Sequence, residues 1–458
     1  MDSSIFKAYD VRGVYPGQID EDTAWKIGYA GAKFLLSRAR EQHSNVKQSI
    51  CAGYDMRRDG NLLANAMIKG MNAAGADVID IGMIDTPQMY FAVNFFGNCG
   101  GVQVTASHNP AQYNGFKISG IEAKPVGADT GLTDIKDMAM SLQGEEGKGG
   151  GLVERFDLTP EYTKHIRKFL APMVKGLKIA VDASNGMAGK FVPLIFDDVP
   201  IEIIPLNFTH DGTFNHDPNP LVEENLRQIK DAVKQTGAIA GFCFDGDADR
   251  LMLVDENGIN VPADLMVAMM VPYFLANEPK GTTVIYDLRS SRVVREEIEK
   301  YGGTPSRNRV GHVFMKKALR ETNGVFGGEL SGHFYYRDNF YADSGLITFT
   351  QMLNILFAAG KPVSEIVKPL RRYFSSGEMN FKVDDKQTMM KGLANKYKDG
   401  QIDYLDGVTV QFEDWWFNCR PSNTEPLLRL NVEARTKELL ESKLIEFKTI
   451  LGEPIHGH

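Results

Sequence analysis

Short apolar runs that end in aspartate recur three times along the chain, each followed by a helical pattern and a second apolar run. The first runs lie at 49–55, 177–182 and 282–287, and the second runs at 76–82, 201–206 and 304–307. Because these runs are apolar on both faces, they predict strands of sheets covered by helices. Their recurrence at long spacing indicates three related α/β domains.

The aspartates at the strand ends have a simple structural interpretation. A carboxylate that precedes a helix can accept the free amides of the first helical turn. We therefore expect Asp55 and Asp182 to cap the helices that follow them.

After about Ser375 the pattern of apolar positions changes. Runs of alternating character lie at 407–412, 415–420 and 427–432, and an amphipathic helix follows at 437–450. This pattern predicts a small α+β domain with an antiparallel sheet.

A chain of 458 residues is too long for one hydrophobic core. We predict an α/β fold of three related α/β domains, with mixed sheets covered by helices, and a C-terminal α+β domain. The expected boundaries are 1–150, 151–255, 256–374 and 375–458. The Gly-rich, charged stretch at 143–151 and the stretch after Asp255 are the expected linkers.

Composition narrows the function classes. The net charge of −8 argues against a nucleic-acid binder that relies on general basicity, so an anionic ligand would need locally clustered Arg and Lys. Cys51, Cys99, Cys243 and Cys419 are far apart and mostly lie in apolar runs, a pattern typical of buried free thiols in a reducing compartment. No export segment or bilayer-length apolar run is evident, so we expect a cytoplasmic protein without a membrane partner.

The most informative motif is Val-Thr-Ala-Ser-His-Asn-Pro at 104–110. An apolar strand ends there in Ser107 and His108, and Lys117 follows within a few residues. A hydroxyl, an imidazole and a cation can therefore meet at one sheet edge. Asn-Pro is also a common turn signal, and adjacent Ser and His rarely form a catalytic pair, so an ordinary strand exit is the alternative.

Three carboxylates alternate just after the apolar run at 238–244. Asp245, Asp247 and Asp249 can converge on one hard cation, Mg²⁺ or Ca²⁺. An EF-hand is excluded, because Arg250 stands where that loop requires glycine and a strand enters the loop. A solvated acidic turn is the alternative, but crowded carboxylates repel one another unless a cation neutralises them, which favours Mg²⁺.

Two further loops carry polar side chains. The segment at 327–333, preceded by Arg309 and His312, places Glu329, Ser331 and His333 among glycines, as a polyhydroxylated ligand would require. The segment at 420–426, Arg-Pro-Ser-Asn-Thr-Glu-Pro, can cradle a phosphate with a guanidinium, two hydroxyls and an amide. A structural turn is the alternative for both loops.

These four motifs, in this order and at these intervals, resemble the α-D-phosphohexomutase superfamily over the entire chain. The segment Lys-Ala-Tyr-Asp-Val-Arg-Gly at 7–13 resembles its opening segment. The length and the Gly-Glu-Leu-Ser-Gly-His loop resemble the phosphomannomutase/phosphoglucomutase branch. Phosphoglucosamine mutases commonly carry Gln at the position of Leu330.

The resemblance implies four domains around a central cleft and a role for each motif. Ser107 would carry a phosphoryl group, and Asp245, Asp247 and Asp249 with one oxygen of that group would hold a single Mg²⁺. Lys117 and His108 would transfer protons, with the pKa of Lys117 lowered by neighbouring cations, while Arg12 and Arg250 would stabilise charge. The remaining implied ligand contacts are Glu329 and Ser331 on sugar hydroxyls, Arg420, Ser422, Asn423 and Thr424 on the distal phosphate, and Arg289, His312 and His333 as supporting contacts.

The implied reaction interconverts hexose 6-phosphate and hexose 1-phosphate, of mannose or glucose or both, with a hexose 1,6-bisphosphate as intermediate and activator. The implied partners are hexose phosphates, and the protein is expected to be a monomer or a small homo-oligomer. A phosphoglucosamine mutase is the alternative within the superfamily. A phosphoserine phosphatase-like hydrolase and a non-catalytic sugar-phosphate-binding protein are alternatives from other classes.

Overall fold

A computed structural model of the protein describes residues 1–42, 45–143, 149–173, 176–422 and 427–455. The chain forms two compact units. The first contains Met1–Val261 and Ser331–Ser364, and the second contains Pro262–Leu330 and Glu365–His458. The central cleft and the domain boundaries implied by the sequence stay predictions.

The first unit contains a six-stranded mixed sheet in the order β1-β5-β4-β2-β3-β6. Strands β2, β3, β4 and β6 run parallel, while β5 is antiparallel to both β1 and β4. The strands are β1 (Val11–Val14), β2 (Lys47–Tyr54), β3 (Asp77–Met83), β4 (Asn98–Val104), β5 (Tyr113–Ser119) and β6 (Val153–Arg155). The helices are α1 (Glu21–Gln42), α2 (Gly60–Ala73), α3 (Thr86–Phe96) and α4 (Leu132–Ser141).

A five-stranded mixed sheet follows in the same unit, in the order β11-β10-β9-β7-β8. Its strands are β7 (Leu177–Asp182), β8 (Ile201–Leu206), β9 (Ala240–Phe244), β10 (Leu251–Asp255) and β11 (Asn260–Val261). The helices are α5 (Thr159–Arg167), α6 (Ala188–Phe196) and α7 (Arg227–Thr236). The antiparallel pair β9–β10 brings the acidic turn to the sheet end at which β7 also finishes.

The second unit repeats the strand–helix–strand pattern. In it β12 (Thr283–Asp287) pairs in parallel with β13 (Thr304–Asn308) and with β14 (Phe326–Gly328). Its helices are α8 (Ala263–Leu275), α9 (Arg292–Lys300) and α10 (His312–Glu321). The chain then returns to the first unit with β15 (Phe334–Tyr336), β16 (Ala342–Asp343) and α11 (Gly345–Ala359).

Helix α11 is buried because its aromatic side chains pack on the second sheet. The ring of Phe349 lies edge-on to Phe242 at 4.9 Å and to Phe196 at 5.0 Å between centroids. Contacts of this kind explain why the segment after Leu330 belongs to the first unit.

The C-terminal part of the second unit is α+β, as predicted. After the short helix α12 (Val363–Val367), an antiparallel sheet forms in the order β17-β21-β20-β19-β18. The strands are β17 (Phe374–Lys382), β18 (Gln401–Asp403), β19 (Val408–Gln411), β20 (Trp415–Pro421) and β21 (Leu427–Ala434). The helices are α13 (Lys386–Lys396) and α14 (Lys437–Leu451).

The prediction that Asp55 and Asp182 cap helices is wrong. Helices α2 and α6 begin at 60 and 188, and neither has a side-chain cap. Instead each carboxylate accepts the backbone N–H two residues later, from Arg57 at 3.0 Å and from Ser184 at 2.8 Å. These are Asx turns, which leave the aspartate at the strand end to organise the loop.

All four cysteines are free and buried, as the sequence predicted. Within the described ranges, none of the helices has the length and apolar character that a membrane span requires.

Candidate active site

Ser107 lies in the loop that joins β4 to β5, and its side chain is buried. Its backbone has a positive φ of 50°, which is uncommon for a residue other than glycine. The Ser107 hydroxyl donates to Asp245 Oδ2 at 3.2 Å, and its oxygen lies 3.2 Å from His108 Nδ1. The loop therefore brings the predicted hydroxyl, imidazole and acidic turn together.

The three carboxylates of the acidic turn are buried side by side. One oxygen atom from each of Asp245, Asp247 and Asp249 lies within 4.8 Å of the others. Burial raises the pKa of Asp245 well above its usual value, and repulsion from Asp249 and Asp247 raises it further. A divalent cation would remove this repulsion, and the donor set, all carboxylate oxygens, fits Mg²⁺.

Thr86, the first residue of α3, holds the acidic turn in place through hydrogen bonds to Asp247. Its hydroxyl donates to Asp247 Oδ2 at 2.6 Å and its backbone N–H to the Asp247 carbonyl at 3.1 Å. The Oδ1 atom of Asp247 makes no hydrogen bond with any described residue, so this buried oxygen is available to a ligand. Sequence reasoning missed Thr86, because its position beside Asp247 depends on contacts across 161 residues.

Lys117 on β5 reaches the same carboxylates. Its ammonium lies 2.6 Å from both Asp247 Oδ2 and Asp249 Oδ2. Burial alone would lower the pKa of Lys117, but Asp247 and Asp249 outweigh burial and raise it. The expectation that neighbouring cations lower this pKa is therefore wrong, because the carboxylates lie nearer.

Arg12 and His108 flank the serine loop. Arg12 on β1 forms an ion pair with Asp10 at 2.8 Å and also donates to the side-chain oxygen of Asn109. Burial lowers the pKa of His108 well below its usual value, and the guanidiniums of Arg250 and Arg12 lower it further. The imidazole is therefore neutral near pH 7 and can accept a proton.

Arg250, His333 and Ser331 form a chain of contacts beside the carboxylates. The Arg250 Nε lies 3.2 Å from His333 Nε2, which is itself 3.3 Å from Asp249 Oδ1. His333 Nδ1 lies 2.9 Å from the Ser331 hydroxyl. Within the first unit, Ser331 and His333 therefore lie next to the acidic turn.

Arg289, Glu329 and His312 belong to the second unit. Arg289 follows β12 and forms ion pairs with Asp287 at 2.6 Å and with Glu378 at 3.2 Å. Glu329 is buried, and its Oε2 accepts the N–H of Gly311 at 3.3 Å, next to His312 at the start of α10. The Leu330 N–H donates to Asp287 Oδ2 at 2.9 Å, which ties the Glu329 loop to the end of β12.

Arg420 is buried at the end of β20 and forms part of an arginine cluster around Glu378. Glu378 receives Arg420 at 2.7 Å and Arg429 at 3.0 Å, in addition to Arg289. Burial alone would raise the pKa of Glu378, but the three guanidiniums lower it to about 2. Ser422, two positions after Arg420 in the sequence, is also buried. Asn423 and Thr424 lie outside the described residues.

Glu378 and Arg429 were not predicted from the sequence. Glu378 lies on β17, which the alternation pattern missed, immediately after a register shift between Ser375 and Glu378. Arg429 lies in the predicted run at 427–432. A polar residue in such a run does not indicate which residue it pairs with, so its contact with Glu378 could not be predicted.

Comparison with known proteins agrees with the geometry. Family models described as phosphoglucomutase/phosphomannomutase α/β/α domains I, II and III match residues 3–142, 160–258 and 262–373, and the model of the C-terminal domain matches residues 378–444. These matches and the relatives described below identify a mutase, an intramolecular phosphotransferase. The chain belongs to the phosphoglucomutase/phosphomannomutase family.

Individual relatives extend over nearly the whole chain. A phosphomannomutase of Vibrio cholerae is 36% identical, with 97% of each chain covered, and one of Methanocaldococcus jannaschii is 37% identical, with 99% of this chain and 98% of the relative covered. The crystal structure of a phosphoglucomutase/phosphomannomutase family protein from Burkholderia thailandensis superposes with a TM-score of 0.89 at 32% identity. The superposition covers 98% of this chain and 97% of the Burkholderia thailandensis chain.

Proposed function

We propose that this phosphohexomutase interconverts the 6-phosphate and 1-phosphate of mannose or glucose through phospho-Ser107 and a hexose 1,6-bisphosphate. The observation that carries the proposal is the environment of Ser107. Its oxygen lies 3.2 Å from both His108 Nδ1 and Asp245 Oδ2, at a buried acidic turn that also holds Lys117. A serine so placed can carry a phosphoryl group without a hydrolytic triad.

The proposed reaction consists of two phosphoryl transfers. In the first, the bond between phosphorus and the Ser107 oxygen breaks, and a bond forms between phosphorus and the free hydroxyl at C1 or C6 of the sugar phosphate. The proton of that hydroxyl leaves to the enzyme, and Ser107 regains a proton. The bisphosphate then reorients, and its other phosphate returns to Ser107, so no co-substrate is consumed.

Residues around Ser107 supply the proton transfers and the charge. Neutral His108 accepts the proton of the sugar hydroxyl and returns one to the serine oxygen, while Lys117, whose pKa is raised, donates to the sugar oxygen in the reverse transfer. Arg12 and Arg250 stabilise the negative charge of the transferring group. Asp245, Asp247 and Asp249, with one oxygen of the group on Ser107, would hold Mg²⁺. The bound ion would neutralise charge during transfer.

The remaining residues implied by the motifs would contact the rest of the substrate. Glu329 and Ser331 hold sugar hydroxyls, and Arg289, His312 and His333 support them. The phosphate that does not react is held by Arg420 and Ser422, together with Asn423 and Thr424. The oligomeric state and the cytoplasmic location remain predictions.

A coupled assay tests the proposed function against its alternatives. Purified enzyme with Mg²⁺ and a trace of glucose 1,6-bisphosphate should convert mannose 1-phosphate or glucose 1-phosphate to the 6-phosphate without releasing inorganic phosphate. Release of inorganic phosphate would indicate a hydrolase. Binding of a sugar phosphate without conversion would indicate a non-catalytic binding protein.

The sugar preference is expected to favour mannose and glucose phosphates over glucosamine phosphate. Leu330 presents an apolar side chain where phosphoglucosamine mutases commonly carry an amide, so the ammonium group at C2 lacks a polar partner. We expect a specificity constant for glucosamine 1-phosphate roughly 10-fold or more below that of the better neutral sugar. A highest value for glucosamine 1-phosphate would contradict the assignment and support the phosphoglucosamine mutase alternative.

Arg420→Ala is expected to loosen the grip on the distal phosphate. Loss of a buried, charged hydrogen-bond donor should raise KM about 10-fold, lower kcat and release hexose 1,6-bisphosphate during turnover. The measurement is the ratio of free bisphosphate to product. Arg435→Ala, which changes a half-exposed arginine in the same unit, is the control and should behave as wild type. Normal kinetics without leakage in Arg420→Ala would show that the Arg420 loop is a structural turn.

A further inference from the structure

Arg57 is an almost fully buried arginine in the turn that follows β2, and the proposed reaction does not use it. Arg57 is only 3% exposed to solvent. Burying a guanidinium is strongly destabilising unless the charge is paired and hydrogen-bonded. The partners of Arg57 therefore show what the residue does.

The two terminal nitrogens of Arg57 donate to backbone carbonyls in the loop that begins with Ser107 and at the start of β5. Nη2 donates to the carbonyls of Ser107 at 3.0 Å and Asn109 at 2.6 Å. Nη1 donates to those of Pro110 at 2.9 Å and Tyr113 at 2.8 Å. One planar side chain thus holds four carbonyls of this segment.

A second connection fixes the other side of Ser107. The Ser107 N–H donates to Thr105 Oγ1 at 2.9 Å, and the Thr105 hydroxyl donates to Asp55 Oδ2 at 2.6 Å. Asp55 Oδ2 also lies 3.4 Å from Arg57 Nε, and Asp55 Oδ1 accepts the Arg57 N–H. The N–H and the C=O of Ser107 are therefore both tied to the single Asp55–Arg57 turn.

This double attachment explains how Ser107 keeps its left-handed backbone. A non-glycine residue with a φ of 50° has a strained backbone and keeps that conformation only when its surroundings impose it. In addition, the N–H and C=O of one planar peptide point in opposite directions. Because the Ser107 carbonyl faces Arg57, the His108 N–H faces away from Arg57.

We propose that Arg57 is a positioning residue for phosphoryl transfer. It acts through the backbone, holding Ser107 so that the hydroxyl meets Asp245 and His108, and it does not touch the substrate. This inference rests on the proposed role of Ser107 as the phosphoryl carrier. Lysine cannot replace Arg57 fully, because an ammonium group has three donors and lacks the planar fork that spans four carbonyls.

The test measures how fast Ser107 takes up phosphate. Dephosphorylated wild type, Arg57→Met, Arg57→Lys and the control Arg58→Met are mixed with glucose 1,6-bisphosphate and Mg²⁺, quenched and analysed by intact mass. The exposed neighbour Arg58 is a matched control for loss of an arginine in the same turn. Steady-state kcat and KM and the melting temperature are recorded for each variant.

We expect Arg57→Met to take up phosphate about 10²-fold more slowly and to lose a similar factor in kcat, since misplacement by about 1 Å can cost that much. The KM should change by less than about threefold. Arg57→Lys should recover part of the rate, and Arg58→Met should match wild type. A purely structural role would lower the melting temperature but leave the phosphorylation rate of the folded fraction unchanged.

Thr105→Val keeps the shape of the side chain but removes the hydroxyl that links Ser107 to Asp55, so it tests the same network if Arg57→Met does not fold. It should slow phosphorylation by roughly 10-fold or more, as expected for loss of the two buried hydrogen bonds that the Thr105 hydroxyl makes. Wild-type phosphorylation rates in the folded Arg57→Met or Thr105→Val variants would overturn this inference alone. Failure of the wild-type enzyme to gain phosphate on Ser107 would overturn the proposed function as well.

Discussion

Replacing Ser107 by alanine should abolish measurable mutase activity, with a loss of roughly 10⁴-fold or more, as is typical when a covalent nucleophile is removed. Alanine has no oxygen to carry the phosphoryl group, so neither transfer can occur. The intact mass of wild type treated with glucose 1,6-bisphosphate should show a species heavier by one phosphate, and Ser107→Ala should not. The variant should still bind hexose phosphate, because the residues proposed to hold the sugar and the distal phosphate are unchanged.

Ser184→Ala provides a matched control for this experiment. Ser184 is also buried and also has a φ of 50°, and its hydroxyl donates to the Phe244 carbonyl at 2.6 Å. This control is expected to lose some stability and still to gain phosphate on Ser107. If Ser107→Ala retained turnover, or if phosphate mapped to another residue, the phosphoserine proposal would be wrong.

Asp247→Asn should lower kcat by about 10²–10⁴-fold, while KM changes much less. The amide keeps the shape of the side chain but removes one of three negative charges, so the site loses affinity for Mg²⁺ and the stabilisation that the ion supplies during transfer. The loss of charge also removes an ion pair with Lys117, which lies 2.6 Å away. The measurement is kcat over a titration with Mg²⁺, with a higher half-saturating concentration expected for the variant.

Asp182→Asn is the control for loss of a buried carboxylate in the same unit. Asp182 lies at the end of β7 and binds the Ser184 N–H of its own loop and the side chains of Asn207 and His216, which follow β8. This control should lose stability without a change in the Mg²⁺ requirement. Full activity of the wild-type enzyme in excess chelator would exclude the metal role.

The α/β elements were predicted well because their signal is local. The runs at 177–182 and 201–206 became β7 and β8 with the predicted bounds, since strands buried on both faces read as continuous apolar segments. Strand β17 was missed because Ser375, Ser376 and Gly377 interrupt its alternation at the bulge. Local periodicity does not reveal a strand whose residues pair with β21, 45 to 60 positions away.

The residues of the candidate site also fall into those that the sequence indicates and those that it does not. Ser107 and the three aspartates could be proposed because each lies in a short motif at a strand end, and Lys117 because it follows Ser107 closely in sequence. Arg57 and Glu378 could not, because their meaning depends on partners about 50 residues away and on burial that only the folded chain creates. The raised pKa of Lys117 was also outside the reach of the sequence, since it depends on which charges lie nearest.

One turn geometry occurs at the end of a strand in each of the three α/β repeats. Asp55, Asp182 and Asp287 each accept the N–H two residues later, at 3.0, 2.8 and 2.7 Å. The side chain in that later position makes a different contact in each copy: Arg57 binds the serine loop, Ser184 binds the carbonyl that precedes Asp245, and Arg289 pairs with Glu378. The aspartate turn is thus the same in all three copies of the repeat. The side chain two residues later determines which neighbouring segment each turn contacts.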